Sequence, residues 1–217
     1  MITIAILYFS LDEKLPNGKT GTEADRFALK IQETVKHHNY LNTDYLQWTF
    51  RNKNHYIWNK KSNTVTVKTN NDSVLLYLDD PKKSKILGTS QLDSKQKGKI
   101  LKAALASFNN DSFWIVAPHK LFDKGTTRKL VRLQDGTNRL LVTYASGGTT
   151  PGDSYLWKVD KNYLPISYKM WVSIIPIGGI EVTWENWVKT SNGSYFAKDH
   201  TLLGFDIPIS NLKAWNE

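Results

Sequence analysis

The chain contains no cysteine. That removes disulfides, a thiol nucleophile, thiolate-bound metal and a lipid-modified cysteine from within these 217 residues. Arginine is scarce too: Arg26, Arg51, Arg128, Arg132 and Arg139 are the whole set, so the formal charge of +9 rests mainly on lysine. Nucleic-acid readers concentrate arginine, because its fork pairs with phosphate and guanine. Here the lysines are scattered, apart from a short "PKKSK" run at Pro81 to Lys85. The excess reads as a solvated lysine-rich surface, with weak attraction to an anionic membrane surface as a second reading. No nucleic-acid partner is expected.

Histidine occurs at 37, 38, 55, 119 and 200, with no HxH or HxxxH spacing. Adjacent residues diverge on a helix, so His37 and His38 cannot share a ligand set. The pair is expected at a helix C-terminus, where partial positive charge is favourable. No metal and no cofactor are expected.

Long apolar runs are also missing. "MITIAILYFSL" is eleven uncharged, mostly apolar residues, whereas a spanning helix needs about 20. It has neither the basic start nor the small-residue cleavage site of a signal peptide. We read residues 1–11 as a truncated membrane segment or signal remnant, residues 12–21 as a polar Pro/Gly linker, and residues 22–217 as a single domain. The alternative for 1–11 is a short edge strand or buried tail.

What is abundant is aromatic: 8 Trp, 10 Tyr and 8 Phe. Large flat side chains fill wide interiors or line apolar pockets. Ala24, Phe27, Ala28, Ile31 and Val35 recur at helical spacing, predicting a helix over 22–38 with Thr22 as its cap. A second helix is predicted over 94–108, with Ile100, Leu101, Ala104, Leu105 and Phe108 on one face and "NND" as its stop. Elsewhere the period is two, with Leu46, Trp48 and Phe50 alternating with Gln47 and Thr49. Further strands are expected over 54–59, 64–67, 72–80, 83–89, 128–134, 139–145, 154–160, 166–173, 179–189 and 195–203. The fold class is therefore α+β, a curled antiparallel sheet of about ten or eleven strands, an unclosed half-barrel, with two helices against its concave face.

Several stretches look like chemistry. "YASGGTTPGDSYLW", Tyr144 to Trp157, places Ser146 among glycines, but Tyr144 rather than Gly lies two residues before it. A nucleophile elbow needs G-x-S-x-G running into a helix, and a phosphate loop needs GK[ST]. The stretch reads instead as a turn or ligand-portal loop, with Pro151-Gly152 in a type II turn and Gly147-Gly148 free to take positive φ. Glu181 and Glu185 share a strand face about 13 Å apart, too far for a glycosidase pair, which spans at most about 9.5 Å. They are expected on a solvent face, opposite Ile180, Val182 and Trp184. "FWIVAP" and "IPIGG" are apolar, proline-broken connections that either pack into the core or rim an opening for a hydrophobic ligand.

"FNNDSFWIVAPHKLFDKGTTRKLV", "LLVTYASGGTTPGDSYLW" and "MWVSIIPIGGIEVTWENW" resemble an uncharacterised family of Bacteroidota envelope proteins. The element order further resembles the LolA/LolB-like lipoprotein-carrier superfamily, unclosed barrels that hold acyl chains in an apolar cavity. The lipid-modified cysteine of the LolB-type acceptor is absent. The resemblance implies a non-enzymatic lipid- or lipoprotein-binding protein of the periplasm or cell envelope, tethered at its N-terminus. Its partners would be a lipid or an acylated protein and, through residues 1–11, a membrane surface. Cavity-lining candidates are the inward aromatics Trp48, Phe50, Trp58, Phe113, Trp114, Tyr144, Trp157, Tyr168 and Trp184. Two alternatives stand beside this: an envelope hydrolase of lipid or glycan, drawing on Asp111, His119, Asp123, Asp153 and His55, and a structural interaction module without ligand.

Overall fold

The first helix, α1 (Thr22–Thr34), forms because its apolar residues fall on one stripe: Ala24, Phe27, Ala28 and Ile31 are all buried. Its N-cap is Gly21, at φ 124°, and not Thr22; Glu23 and Asp25 place negative charge at the positive end of the helix dipole. The helix stops four residues short of the predicted end. Lys36 adopts the left-handed conformation, φ 58°, and a separate turn, α2 (His37–Leu41), follows. The histidine pair therefore opens this short helix rather than closing α1. His38 Nε2 lies 3.0 Å from Asn42 Nδ2.

This computed structural model describes residues 12–88, 92–146 and 150–217. The membrane-segment reading of residues 1–11 and the Gly147-Gly148 reading lie outside the described residues.

Among the described residues thirteen strands follow the predicted order closely. They are β1 (Tyr45–Phe50), β2 (Asn54–Asn59), β3 (Thr64–Lys68), β4 (Ser73–Tyr77), β5 (Lys85–Ile86), β6 (Thr126–Arg132), β7 (Asn138–Tyr144), β8 (Ser154–Val159), β9 (Pro165–Trp171), β10 (Ile180–Thr183), β11 (Glu185–Lys189), β12 (Tyr195–Leu202) and β13 (Phe205–Trp215). The hydrogen-bonded order is β5-β4-β3-β2-β1-β13-β12-β10-β9-β8-β7-β6, with β11 pairing β12. The two ends, β5 and β6, are far apart in this order and the sheet is unclosed. The fold is thus α+β, with one large antiparallel sheet and two main helices.

Three expectations needed correction. The predicted strand over 179–189 breaks at Trp184 into β10 and β11. The longest strand among the described residues, β13, follows the last predicted strand and was not expected; it contains Pro208, and Ile207, Ile209 and Ala214 are buried along it. The second long helix, α3 (Ser94–Val116), runs straight through the "NND" stop. Its start is a capping box between Asp93 and Gln96. Its continuation is a tertiary effect. Asp111 faces inward and accepts hydrogen bonds from Asn54 Nδ2 (2.9 Å), Tyr56 OH (2.6 Å) and Asn110 Nδ2 (2.9 Å). Those bonds outweigh the weak helix propensity of asparagine and aspartate.

The chain divides into two compact units, each assembled from three separated segments. The first unit holds Met1–Val35, Pro118–Glu185 and Asp199–Asp206; the second holds Lys36–Ala117, Asn186–Lys198 and Ile207–Glu217. In the first, α1 packs on β6 and β7; in the second, α3 packs on β4 and β5.

The first unit buries both faces of its sheet, so Ser154, Tyr155, Leu156 and Trp157 are buried in succession along β8. One face meets α1. On the other, Val131, Leu141 and Leu156 form a cluster with Leu133 and Trp171. The segment read as a linker binds here as a strap. Lys19 exchanges backbone hydrogen bonds with Leu130 (2.9 and 2.8 Å), and Trp171 Nε1 donates to Glu13 O at 2.6 Å. Gly18 passes so close that a Cβ would stand 2.8 Å from Leu130 O, which explains the glycine.

Candidate functional site

The nine candidate aromatics fall into two groups, one in each unit. In the second unit Trp48 stacks on Tyr56 (4.7 Å between centroids), and Phe108 meets Trp48, Tyr56 and Trp58 at 5.3–6.1 Å. Phe50 and Trp114 lie 6.2 Å apart, and Phe113 is half-buried on α3. In the first unit Tyr144, Tyr155, Tyr168, Trp157 and Trp184 form a chain of contacts at 5.0–5.8 Å, ending with His200 at 4.5 Å from Trp184. Trp48 and Trp157 are wholly buried, and Phe50, Tyr168 and Trp184 nearly so. Trp58, Phe113, Trp114 and Tyr144 are half-buried. The indole N–H groups of Trp48, Trp58 and Trp157 are buried with no hydrogen-bond partner.

Each group ties one tyrosine to one buried aspartate. Burial, together with the Asp111 carboxylate, pushes the Tyr56 hydroxyl far above the ordinary phenol range. Burial and Asp153 do the same to Tyr155. Tyr144 and Tyr168 are raised chiefly by burial. Asp153 accepts from Thr150 Oγ1 and from Ser173 N (3.0 Å).

The five residues considered for hydrolysis are divided between the units. His55 is exposed, with Nδ1 2.8 Å from Thr49 Oγ1, and Asp111 is held by its three donors. In the first unit, Asp123 pairs with Lys120, Asp153 fastens its hairpin, and the His119 carbonyl accepts from Gln32 Nε2 at 3.1 Å. The Pro151-Gly152 turn is as expected. Gly152 takes φ 103°, Asp153 N donates to Thr150 O, and Ser146 Oγ donates to Lys124 O at 3.2 Å. Glu181 and Glu185 are exposed while Ile180, Val182 and Trp184 are buried; Glu181 accepts from Ser167 Oγ at 2.6 Å. Among the described residues no cluster of His, Asp or Glu could hold a metal ion, and no helix is long and apolar enough to cross a membrane.

Sequence reasoning missed a cleft of about 150 Å³ in the first unit. α1 supplies Arg26 and Lys30 from one face, one turn apart; β6 supplies Arg132 and β7 supplies Asn138. Phe27 and Leu130 give it an apolar floor, and Glu23 is its one carboxylate. The remaining wall is Tyr163. Its hydroxyl accepts from Lys30 Nζ at 3.0 Å, the ammonium lies 4.4 Å from its ring centroid, and Phe27 meets the ring edge-on at 5.2 Å. Tyr163 sits at φ 65° after the Asp160–Tyr163 turn between β8 and β9, at the left-handed position where glycine or asparagine is usual. Asn138 Oδ1, in the same wall, is buried with no donor. Three cations face one carboxylate here, so the cleft favours an anion, and Asn138 Oδ1 favours one that also carries a hydroxyl or amide hydrogen. A signal was present in the sequence: Arg26 and Lys30 at helical spacing amid few arginines, and a tyrosine where a turn calls for glycine.

No protein-family model, curated protein or solved structure matches the chain.

Proposed function

We propose that this chain is a non-enzymatic binding protein of the cell envelope, tethered through its N-terminal segment, that holds a lipid or an acylated protein. The observation that carries this reading is the cationic cleft of the first unit. It sets Arg26, Lys30 and Arg132 around Phe27 and Leu130, which suits the region of an amphiphile where an anionic group joins an apolar one. The unclosed antiparallel sheet with its helices is consistent with the resemblance to lipoprotein carriers. The unpartnered indole donors of Trp48, Trp58 and Trp157 are consistent with ester or amide carbonyls as acceptors.

The test is native mass spectrometry, with lipid extraction, on the full chain purified from its host's membranes. Reproducible co-purified acyl ligands are expected, and the double variant Arg26→Glu, Arg132→Glu should lose most of them. A ligand-free native chain overturns the proposal. Ligand retained in full by the double variant removes the cleft from it.

A further inference from the structure

Among the described residues the three most exposed large apolar side chains are Phe205 at 72%, Ile174 at 71% and Leu203 at 68%. All three belong to the first unit. Pairing brings them to one end of its sheet. Val182 of β10 lies opposite Leu202 of β12, so the Leu203-Gly204 turn that follows β12 lies beside the start of β10. The loop entering β10 is Val172 to Gly179, which carries Ile174. Its far end is fixed, because Gly179 N donates to Met170 O at 2.9 Å.

The turn itself is unusual. Leu203 and Gly204 both take positive φ, 50° and 80°, as a two-residue type I′ hairpin requires. Asparagine or glycine is the relaxed choice at the first position, and a leucine there is strained. Burial does not reward the strain, since the side chain stands in solvent beside Phe205. Strain without internal packing directs attention to an external contact.

The chain's beginning leads to the same place. Gly178 N donates to Asp12 Oδ1 at 2.8 Å, and Glu13 N donates to Gly178 O at 3.0 Å. Eleven uncharged, mostly apolar residues immediately precede Asp12. An apolar sequence thus joins the fold at the loop that presents Ile174.

We propose that this end of the first unit, formed by Ile174, Leu203 and Phe205, rests in the interfacial region of a lipid bilayer. The charges around it define the kind of surface. Asp12, Glu13, Glu181 and Asp206 are the nearby acids; Lys169 is paired with Glu13, Glu181 accepts from Ser167 Oγ, and Thr201 Oγ1 lies 3.5 Å from Asp206. The contact is therefore apolar rather than electrostatic, and it needs neither anionic lipid nor low salt. It stands independently of what the cleft binds.

The absence of cysteine makes a direct test simple. Single spin labels are placed through Phe205→Cys and, as a control in the second unit, Ile57→Cys in the full chain. The protein is floated with phosphatidylcholine vesicles at low and high salt. Flotation is expected at both salts, with the label at 205 accessible to oxygen dissolved in lipid and the label at 57 accessible to aqueous nickel chelate. Leu203→Asn with Phe205→Ser, both exposed positions, should cut vesicle partitioning by about tenfold or more. Three results overturn the proposal. One is flotation with the label at 205 still in water, which assigns binding to residues 1–11 alone. Another is spin–spin broadening at 205 without vesicles, which assigns the surface to a second copy. The third is binding only to anionic vesicles at low salt, which assigns it to the lysines.

Discussion

The two units solve the same packing problem with one telling difference. Each gathers aromatic side chains against its part of the sheet, and each fastens a buried tyrosine to a buried aspartate, Tyr56 to Asp111 and Tyr155 to Asp153. They differ at left-handed backbone positions. Among the described residues of the second unit six non-glycine residues have positive φ, and four of them are asparagine: Asn52, Asn63, Asn186 and Asn211. In the first unit the positions fall to Tyr163 and Leu203. Asparagine tolerates this region, whereas large apolar side chains do so at a cost. Apart from Lys36 and Arg51, the second unit thus fills these positions with a tolerant residue where the first uses bulky ones. The strained residues wall the cationic cleft and cap the exposed apolar end, so backbone strain and candidate function coincide.

Alkaline titration is the largest way to sharpen this comparison. Four tyrosines, three of them buried and Tyr144 half-buried, have folded-state values above the ordinary 10: Tyr144, Tyr155 and Tyr168 in the first unit, and Tyr56 in the second. Above pH 10 the folded state keeps protons that the unfolded state releases. Stability is therefore full below pH 10 and falls as pH rises past it, by about 1.4 kcal/mol per pH unit for each tyrosine. Lys60, in the second unit, works the other way. Burial pushes it down to about 8 from 10.5, though its ammonium meets the Tyr40 carbonyl and ring. Between pH 8 and 10.5 the unfolded state holds a proton that the folded state lacks, so stability rises with pH. Hydrogen exchange resolved by mass spectrometry should show the first unit losing protection sooner above pH 10. The rise from pH 8 to 10 should vanish in Lys60→Met. Equal alkaline loss in the two units breaks the comparison.

The aspartates come next in size. Asp111→Ala leaves Tyr56 OH and Asn54 Nδ2 without their acceptor inside the second unit and should destabilise by about 3 kcal/mol. Asp153→Ala frees the Thr150 and Tyr155 hydroxyls and the Ser173 backbone N–H, and should cost about 2 kcal/mol. Urea unfolding followed by circular dichroism measures both. A larger loss at Asp153 would mean that the hairpin, rather than the helix-to-sheet tie, is the firmer anchor.

Most strands were legible because period-two alternation survives from sequence to sheet: Leu46, Trp48 and Phe50 face inward as alternation requires. What was not legible depended on distant partners. Asparagine and aspartate at 109–111 signal an end to a helix until Tyr56 and Asn54 arrive from β2. The division into two units was hidden because each is assembled from three separated segments. Parity could not divide the aromatic candidates into two groups, and it does not apply to Phe113 and Trp114, which lie on α3. The cleft escaped because its parts come from α1, β6, β7 and a hairpin turn, and only the Arg26–Lys30 spacing and the tyrosine in a glycine position marked it in the sequence.

The smallest effect is the most discriminating. Leu203→Asn keeps the type I′ turn and removes the strain, so it should raise stability by about 0.5–1 kcal/mol. The reciprocal change in the second unit, Asn211→Leu at φ 53°, should lower it by at least as much, because Asn211 Nδ2 also donates to Thr49 Oγ1 at 3.1 Å. Thermal melts of the two variants beside the native chain measure both shifts. Opposite signs establish that the first unit keeps a leucine against its own stability, which a purely structural turn would not do. A Leu203→Asn variant that is less stable than the native chain would mean that the leucine packs favourably within the fold, and the two units would no longer differ.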